Sequence, residues 1–332
     1  MGEFPRGPDG GRLIRMSDIT GIHHVTAIAG DAQENLDFYN GVLGMRLVKR
    51  SVNQDVPDTY HLFYADAVGN PGSDLTFFPW ANAAPMRKGI GLGVEISLAI
   101  PPSSIDYWAE RLEQHGVRTS RQERRRGERV LPFADPHGQE LALVETAERE
   151  GFAAWARSPV PAEKQIRGLN SVRLWERDLE ATSAFLTRVL GFSDMGEQDD
   201  WHRYGVGEGA SGQYVEVRAI PNMPRGEWGR GSMHHVAWRV ADDATELRVR
   251  ERVIAARRRP TDVIDRFWFK SVYFLEPGGV LFEIATDGPG FTADESLSSL
   301  GDKLVLPPWL EPSRVQIEQA LPPLRVGDAV AQ

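Results

Sequence analysis

A constant offset runs through this chain of 332 residues. Gly21-Ile22-His23-His24-Val25 precedes a helical stretch that ends Phe38-Tyr39-Asn40-Gly41-Val42-Leu43-Gly44-Met45. Gly168-Leu169-Asn170-Ser171-Val172 precedes another that ends Phe185-Leu186-Thr187-Arg188-Val189-Leu190-Gly191-Phe192, 147 positions later throughout. A second match, Phe133 to Gly138 with Phe274 to Gly279, holds at an offset of 141. Offsets kept over so many positions mark an internal duplication. The expected architecture is therefore α+β: four βαβββ modules beginning near Ile22, Gly93, Leu169 and Met233 and paired into two domains. Those domains are expected at 17–150 and 167–290, joined by a linker at 151–166. Asp135-Pro136-His137-Gly138 and Glu276-Pro277-Gly278-Gly279 have the composition of turns that join the last strands of a unit. Residues 1–16, rich in Gly, Pro and charge, read as a disordered extension, with Met16 a candidate natural start. The Pro-rich stretch 291–332 reads as a tail or a lid over a pocket.

Bulk properties exclude several classes of function. The formal net charge of −9 argues against nucleic acid or an anionic membrane surface as partner, since both reward basic surfaces. There is no cysteine, so disulfides, thiolate ligands and Cys nucleophiles are ruled out. No apolar run approaches the roughly 18 residues of a membrane span, and no signal sequence opens the chain. A cytoplasmic protein is expected, and homo-oligomer formation is left open.

Chemistry concentrates in the last quarter. Met233-His234-His235-Val236-Ala237-Trp238 and Leu281-Phe282-Glu283-Ile284-Ala285 alternate polar with apolar residues and read as half-buried strands. Side chains alternate faces along a strand, so Val236, Trp238 and Val240 share one face and leave His235 on the other. Likewise Phe282 and Ile284 leave Glu283 opposite. A carboxylate and an imidazole facing away from the packing side need a partner or a metal. Gly21-Ile22-His23-His24-Val25-Thr26 repeats the pattern of Ser232 to Ala237 and brings a third ligand. Alternation does not decide between His23 and His24, because both faces of that strand are largely apolar. Two histidines and a carboxylate form the triad of mononuclear non-haem Fe(II) centres, with Mn(II) as an alternative.

Four βαβββ units with His at the head of a unit and Glu in its last strand resemble the vicinal oxygen chelate superfamily, which includes glyoxalase I and the extradiol dioxygenases. Three features are more narrowly similar to the dioxygenases that open hydroquinone rings: His-His-Val-Thr followed by Gly30-Asp31-Ala32-Gln33, the segment Arg46 to Arg50, and the tail Leu306-Pro307-Pro308-Trp309-Leu310-Glu311-Pro312. The resemblance spans about Ile19 to Leu324. It implies His24, His235 and Glu283 as metal ligands, and His23, Arg266 and Tyr273 as neighbouring catalytic groups. His23 and Tyr273 would be general acid or base, and Arg266 would stabilise oxyanion charge. The implied activity is Fe(II)-dependent opening of a hydroquinone or catechol-type ring with O2.

The duplication supplies an internal control. Ser171 stands where the third unit would carry His24, and Ala142 where the second would carry Glu283, so one metal site is expected. Glu216 falls at the Glu283 position of the third unit and reads as a solvated or salt-bridged residue. Glyoxalase I uses four protein ligands, whereas the last strand of the first unit, Leu75-Thr76-Phe77-Phe78, has no carboxylate. Three ligands leave up to three positions open on an octahedral ion, which suits a ring oxygen and O2. The rivals are a glyoxalase-type lyase or isomerase and, third, a non-catalytic small-molecule binding protein. His61, His115, His137 and His202 have no paired context and read as structure or surface; Arg121 to Arg129 reads as a solvated loop, and Trp80, Trp108, Trp155, Trp201, Trp228 and Trp268 as core packing.

Overall fold

The computed structural model describes residues 17–147 and 151–326; the extension expected to be disordered lies outside the described residues. All four units have the order β-α-β-β-β. The first comprises β1 (Gly21–Ala29), α1 (Ala32–Leu36, continued by a π-helical turn over Asp37–Val42), β2 (Arg46–Asn53), β3 (Val56–Ala65) and β4 (Asp74–Pro79). The second comprises β5 (Leu92–Ile100), α2 (Ile105–Gln114), β6 (Glu123–Arg125), β7 (Glu128–Ala134) and β8 (Glu140–Glu145). The third holds β9 (Gly168–Glu176), α3 (Leu179–Arg188), β10 (Ser193–Gln198), β11 (Trp201–Gly205) and β12 (Tyr214–Ala219). The fourth holds β13 (Ser232–Val240), α4 (Asp243–Ala255), β14 (Ile264–Asp265), β15 (Lys270–Leu275) and β16 (Leu281–Thr286).

Local chemistry accounts for the helix starts and the last turns. Asp31, Asp178 and Asp242 each accept hydrogen bonds from backbone N–H groups of the first helical turn. Ser104 makes no such bond at α2; Glu145 of β8 accepts from Ser104 N and Ile105 N instead. Both expected turns close as read: Asp135 accepts from His137 N and Gln139 N between β7 and β8, and Glu276 accepts from Val280 N between β15 and β16.

The two sheets have eight strands each, ordered β14-β15-β16-β13-β1-β4-β3-β2 and β10-β11-β12-β9-β5-β8-β7-β6. This corrects the expected pairing of units. The first unit shares a sheet with the fourth, and the second with the third, so neither 17–150 nor 167–290 forms a sheet of its own. The first strand of each unit pairs antiparallel with the first strand of its partner, β1 with β13 and β5 with β9. A sequence offset records which units are alike, but not which first strands hydrogen-bond. The two sheets meet where β13 packs on β5, and there the Met233 side chain lies against Gly93 in the space a Cβ would take.

Each strand divides its residues between two faces. Val236, Trp238 and Val240 of β13 join Leu62 and Tyr64 of β3 in the large core. Ala237, Phe63 and Ala65 belong to a separate cluster inside the concave face of the first sheet. The tail packs along the outer edge of this sheet. Buried Lys49 binds the Phe291 carbonyl, Asp294 and Glu295; Val305 N donates to Arg50 O, and Tyr60 donates to Pro322 O. The edge strand β2 is thereby covered, as exposed sheet edges generally must be. Among the described residues no helix is long and apolar enough to cross a membrane.

Candidate metal centre

Register alone brings the three expected ligands together. In the β1–β13 ladder His24 stands opposite Ala237, and in the β13–β16 ladder Glu283 stands opposite the same Ala237. His235 precedes Ala237 by two and shares its face. The triad thus surrounds one small buried residue on the concave side of the sheet.

Two β-bulges settle what alternation left open. Ile22 pairs with Trp238 and His24 with Ala237, so His23 is the extra residue on β1; Thr26 pairs with His235 and Ala27 with Met233, so His234 is the extra residue on β13. A bulge disrupts strict alternation and re-aims side chains. Each extra histidine lies against its neighbour, with His23 Nδ1 2.9 Å from His24 Nδ1 and His234 Nδ1 2.8 Å from His235 Nδ1. The Nε2 atoms of His24 and His235 are left facing inward. They lie 3.3 Å apart, and 3.3 and 2.9 Å from Glu283 Oε2.

These distances fit a shared ion. Donors set at right angles about 2.1 Å from one metal stand about 3 Å from each other. Glu283 is fully buried; its Oε1 accepts from Ser271 at 2.5 Å, while Oε2 has no hydrogen-bond donor. Burial pushes its pKa up, but the histidines, His24 foremost, outweigh this and hold it well below the usual carboxylate range. Burial lowers the pKa of both His23 and His234 to about 3. Both rings stay neutral, so each can accept a proton from the Nδ1–H of its neighbour and keep that neighbour's Nε2 lone pair pointed inward.

The triad opens onto a cavity of about 390 Å³, mouth included. Phe63, Phe78, Trp268 and Phe269 form its apolar walls. Arg266 and Tyr273 line it too. Tyr273 pairs with Glu283 across β15–β16, with its ring 5.6 Å from that of His235. Burial first, then the Glu283 charge, drives its pKa upward, so the phenol stays protonated. Arg266 sits over the Tyr273 ring at 5.3 Å and binds Asp55 at 3.0 Å, bridging the β14–β15 and β2–β3 turns across the mouth. His23 is different. It lies behind His24 against Phe269, not on the cavity wall, which turns the expected acid or base into a group that acts through His24.

Sequence reasoning missed His61. Its alternation with buried Tyr60 and Leu62 on β3 was the available signal, and it lines the cavity with Phe63. His137 and His202 do make peripheral contacts, with Glu34 and Glu197. Of the six tryptophans read as core packing, only Trp108 and Trp268 are fully buried, and Trp268 belongs to the cavity wall; Trp228 is half exposed, stacked on His234. The basic run is largely exposed, as read, but it is only partly a loop: it forms β6, the turn after it and the start of β7, and Arg125 is bound to Glu95 in the second sheet. Glu216 is salt-bridged, to Arg173 at 2.8 Å and to Arg203 at 3.0 Å.

The model of the Glyoxalase/Bleomycin resistance protein/Dioxygenase superfamily matches residues 21–143 and again 168–284. The chain is 42% identical to a Bacillus subtilis protein named "Putative ring-cleaving dioxygenase MhqA", over 92% of this chain and 99% of that one. It is 31% identical to the "Chlorohydroquinone/hydroquinone 1,2-dioxygenase" of Sphingobium indicum, covering 88% of this chain and 93% of the relative. A crystal structure described as a "putative dioxygenase" from Bacillus subtilis superposes with a TM-score of 0.87 at 40% identity, covering 93% of this chain and 98% of the other. Two family matches in one chain agree with the duplicated units: the protein belongs to the glyoxalase, bleomycin resistance and dioxygenase superfamily.

Proposed function

We propose that the chain is a ring-cleaving dioxygenase that opens a hydroquinone or catechol-type ring with O2, with Fe(II) held by His24, His235 and Glu283 and Mn(II) as the alternative ion. The observation that carries this reading is a three-donor site opening onto an aromatic-walled cavity, with Thr76 where a fourth carboxylate would be needed. When bound, the ion would lower the pKa of a ring hydroxyl and hold it beside O2. The relatives' names point the same way. β4 does begin with a carboxylate, Asp74, but that residue pairs with His24 and is not part of the three-donor cluster; Thr76 at the position matching Glu283 weighs against the four-ligand lyase or isomerase.

The chain's own groups divide the remaining work. The aromatic walls hold a flat ring and keep water out. Tyr273, protonated and next to the triad, holds a proton that can be delivered as the ring opens. Arg266 keeps a permanent positive charge on the cavity wall where oxyanion character develops. His23 and His234 fix the ring orientations of His24 and His235. The test is O2 uptake by protein reconstituted anaerobically with Fe(II), on a panel of hydroquinones and catechols. One O2 consumed per ring opened is expected; stoichiometric metal with no uptake on any ring would contradict the proposal.

A further inference from the structure

The first and fourth units build matching halves of the same cup, and the match shows what replaced the missing fourth ligand. Glu283 pairs with Ala237 on one side and Tyr273 on the other; Thr76 pairs with Thr26 and Phe63 in the same way. Two residues before Tyr273 stands Ser271, which donates to Glu283. Two before Phe63 stands His61, whose Nε2 lies 2.9 Å from Thr76 Oγ1, itself 2.7 Å from Thr26 Oγ1. The second sheet has Trp201 and Val130 at the corresponding places, two residues before Arg203, the partner of Glu216, and before Pro132, the partner of Ala142.

His61 is held on every side but one. Its ring contacts Phe63 at 3.8 Å and Phe78 at 4.4 Å between centroids. His61 Nε2 shares a hydrogen bond with Thr76, and Thr76 shares one with Thr26; in the tautomer that carries its proton on Nε2, Nδ1 is an acceptor with no protein partner among the described residues. Several other polar atoms on the wall are committed: the Arg266 guanidinium to Asp55, Gln54 Nε2 to the Arg266 carbonyl, and Asn53 Oδ1 to the backbone N–H groups of its own turn. Tyr273 lies at the triad end of the cavity. His61 is on β3, two strands away from β1, and its backbone is about 10 Å across the sheet from the strand that carries His24. That separation suits oxygens on opposite sides of a ring, not on adjacent carbons.

We propose that His61 recognises the second hydroxyl of a 1,4-dihydroxylated ring, its Nδ1 accepting from the hydroxyl para to the one that faces the triad. The inference rests on the ring-cleaving reading above and adds to it the residue that would tell a hydroquinone from a catechol or a phenol. A packing role for His61 would weaken all ligands alike, whereas recognition weakens only those that carry the para hydroxyl.

The experiment is anaerobic titration of the Fe(II)-loaded protein with hydroquinone, 4-methoxyphenol, phenol and catechol. The proteins compared are wild type, His61→Phe, His61→Asn and Thr76→Val, with metal content measured for each. Wild type is expected to bind hydroquinone about tenfold or more tighter than phenol or 4-methoxyphenol, neither of which can donate at the para position. In His61→Phe that ratio falls towards one while phenol binding and metal content stay level. Should the bulkier ring fail to fold, His61→Asn is expected to lose most of the ratio, and Thr76→Val, which unties Nε2, part of it. An unchanged hydroquinone-to-phenol ratio in the folded His61 variants overturns the assignment. Oxygen uptake on catechols by a wild type with no preference for hydroquinone sinks the His61 assignment alone; uptake on no ring at all sinks the reading beneath it.

Discussion

The two sheets are built from the same unit with the same backbone, and their concave faces hold opposite contents. The bulges at His23 and His234 recur in the second sheet at Asn170 and Val94. Where the first sheet has His24, His235, Glu283 and Thr76, the second has Ser171, Glu95, Ala142 and Glu216. The first set presents three lone pairs to one point. The second presents two carboxylates, and arginines neutralise them: Arg125 on Glu95, Arg173 and Arg203 on Glu216. A buried charge needs a metal or a counter-charge: the second cup supplies arginines, and the first offers the donor set of the proposed metal site. The bulge is thus a property of the fold, and the identity of four side chains decides whether it serves a metal.

The comparison can be broken from either side. The largest effect is expected from Glu283→Ala, which should lower bound metal to background and abolish ring opening; an active, metal-replete variant would end the assignment. Tyr273→Phe should keep the metal and slow turnover about a hundredfold, read as kcat at saturating substrate, since it removes a hydroxyl and little else. In the second sheet Glu216→Gln should leave metal and turnover intact and cost about 3 kcal/mol in denaturant unfolding, because Arg173 and Arg203 lose their shared buried partner. Unchanged unfolding would show that the ion pairs are incidental.

A smaller effect separates the unit junctions. The turn carboxylate Asp135 receives a hydrogen bond from Tyr39, whereas its counterpart Glu276 faces the buried Glu176. Burial, then the Glu276 charge, raises the Glu176 pKa to about 9. A carboxyl raised in the folded state binds its proton more tightly there than in the unfolded chain. Stability from this group should therefore fall as pH climbs from its ordinary value of 4.5 towards 9. Glu176→Gln should flatten that slope and raise stability at pH 8 by about 1 to 2 kcal/mol; an unaltered pH profile would contradict the raised pKa of Glu176.

What was legible in the sequence was whatever has a local cause. The offsets gave the four units because each unit is a local object, and alternation gave His235 and Glu283 because their neighbours Val236, Trp238, Phe282 and Ile284 must face the core. The choice of His24 over His23 depends on a bulge, which is a mismatch between two strands more than 200 residues apart and leaves no trace in either one. The pairing of the first unit with the fourth is hidden for the same reason. His61 was passed over because its significance comes from Thr76 and the cavity, not from its neighbours. Arg125 of the basic run looked solvated because Glu95, its partner, reads as an isolated acid in an apolar strand.

The measurement that bears most directly on the account is metal stoichiometry after Fe(II) loading and desalting, for wild type, Glu283→Gln and Glu216→Gln. The account predicts one ion per chain in wild type, one in Glu216→Gln and none in Glu283→Gln. Two ions per chain, or an ion retained without Glu283 and lost without Glu216, would place the metal in the wrong cup and contradict it.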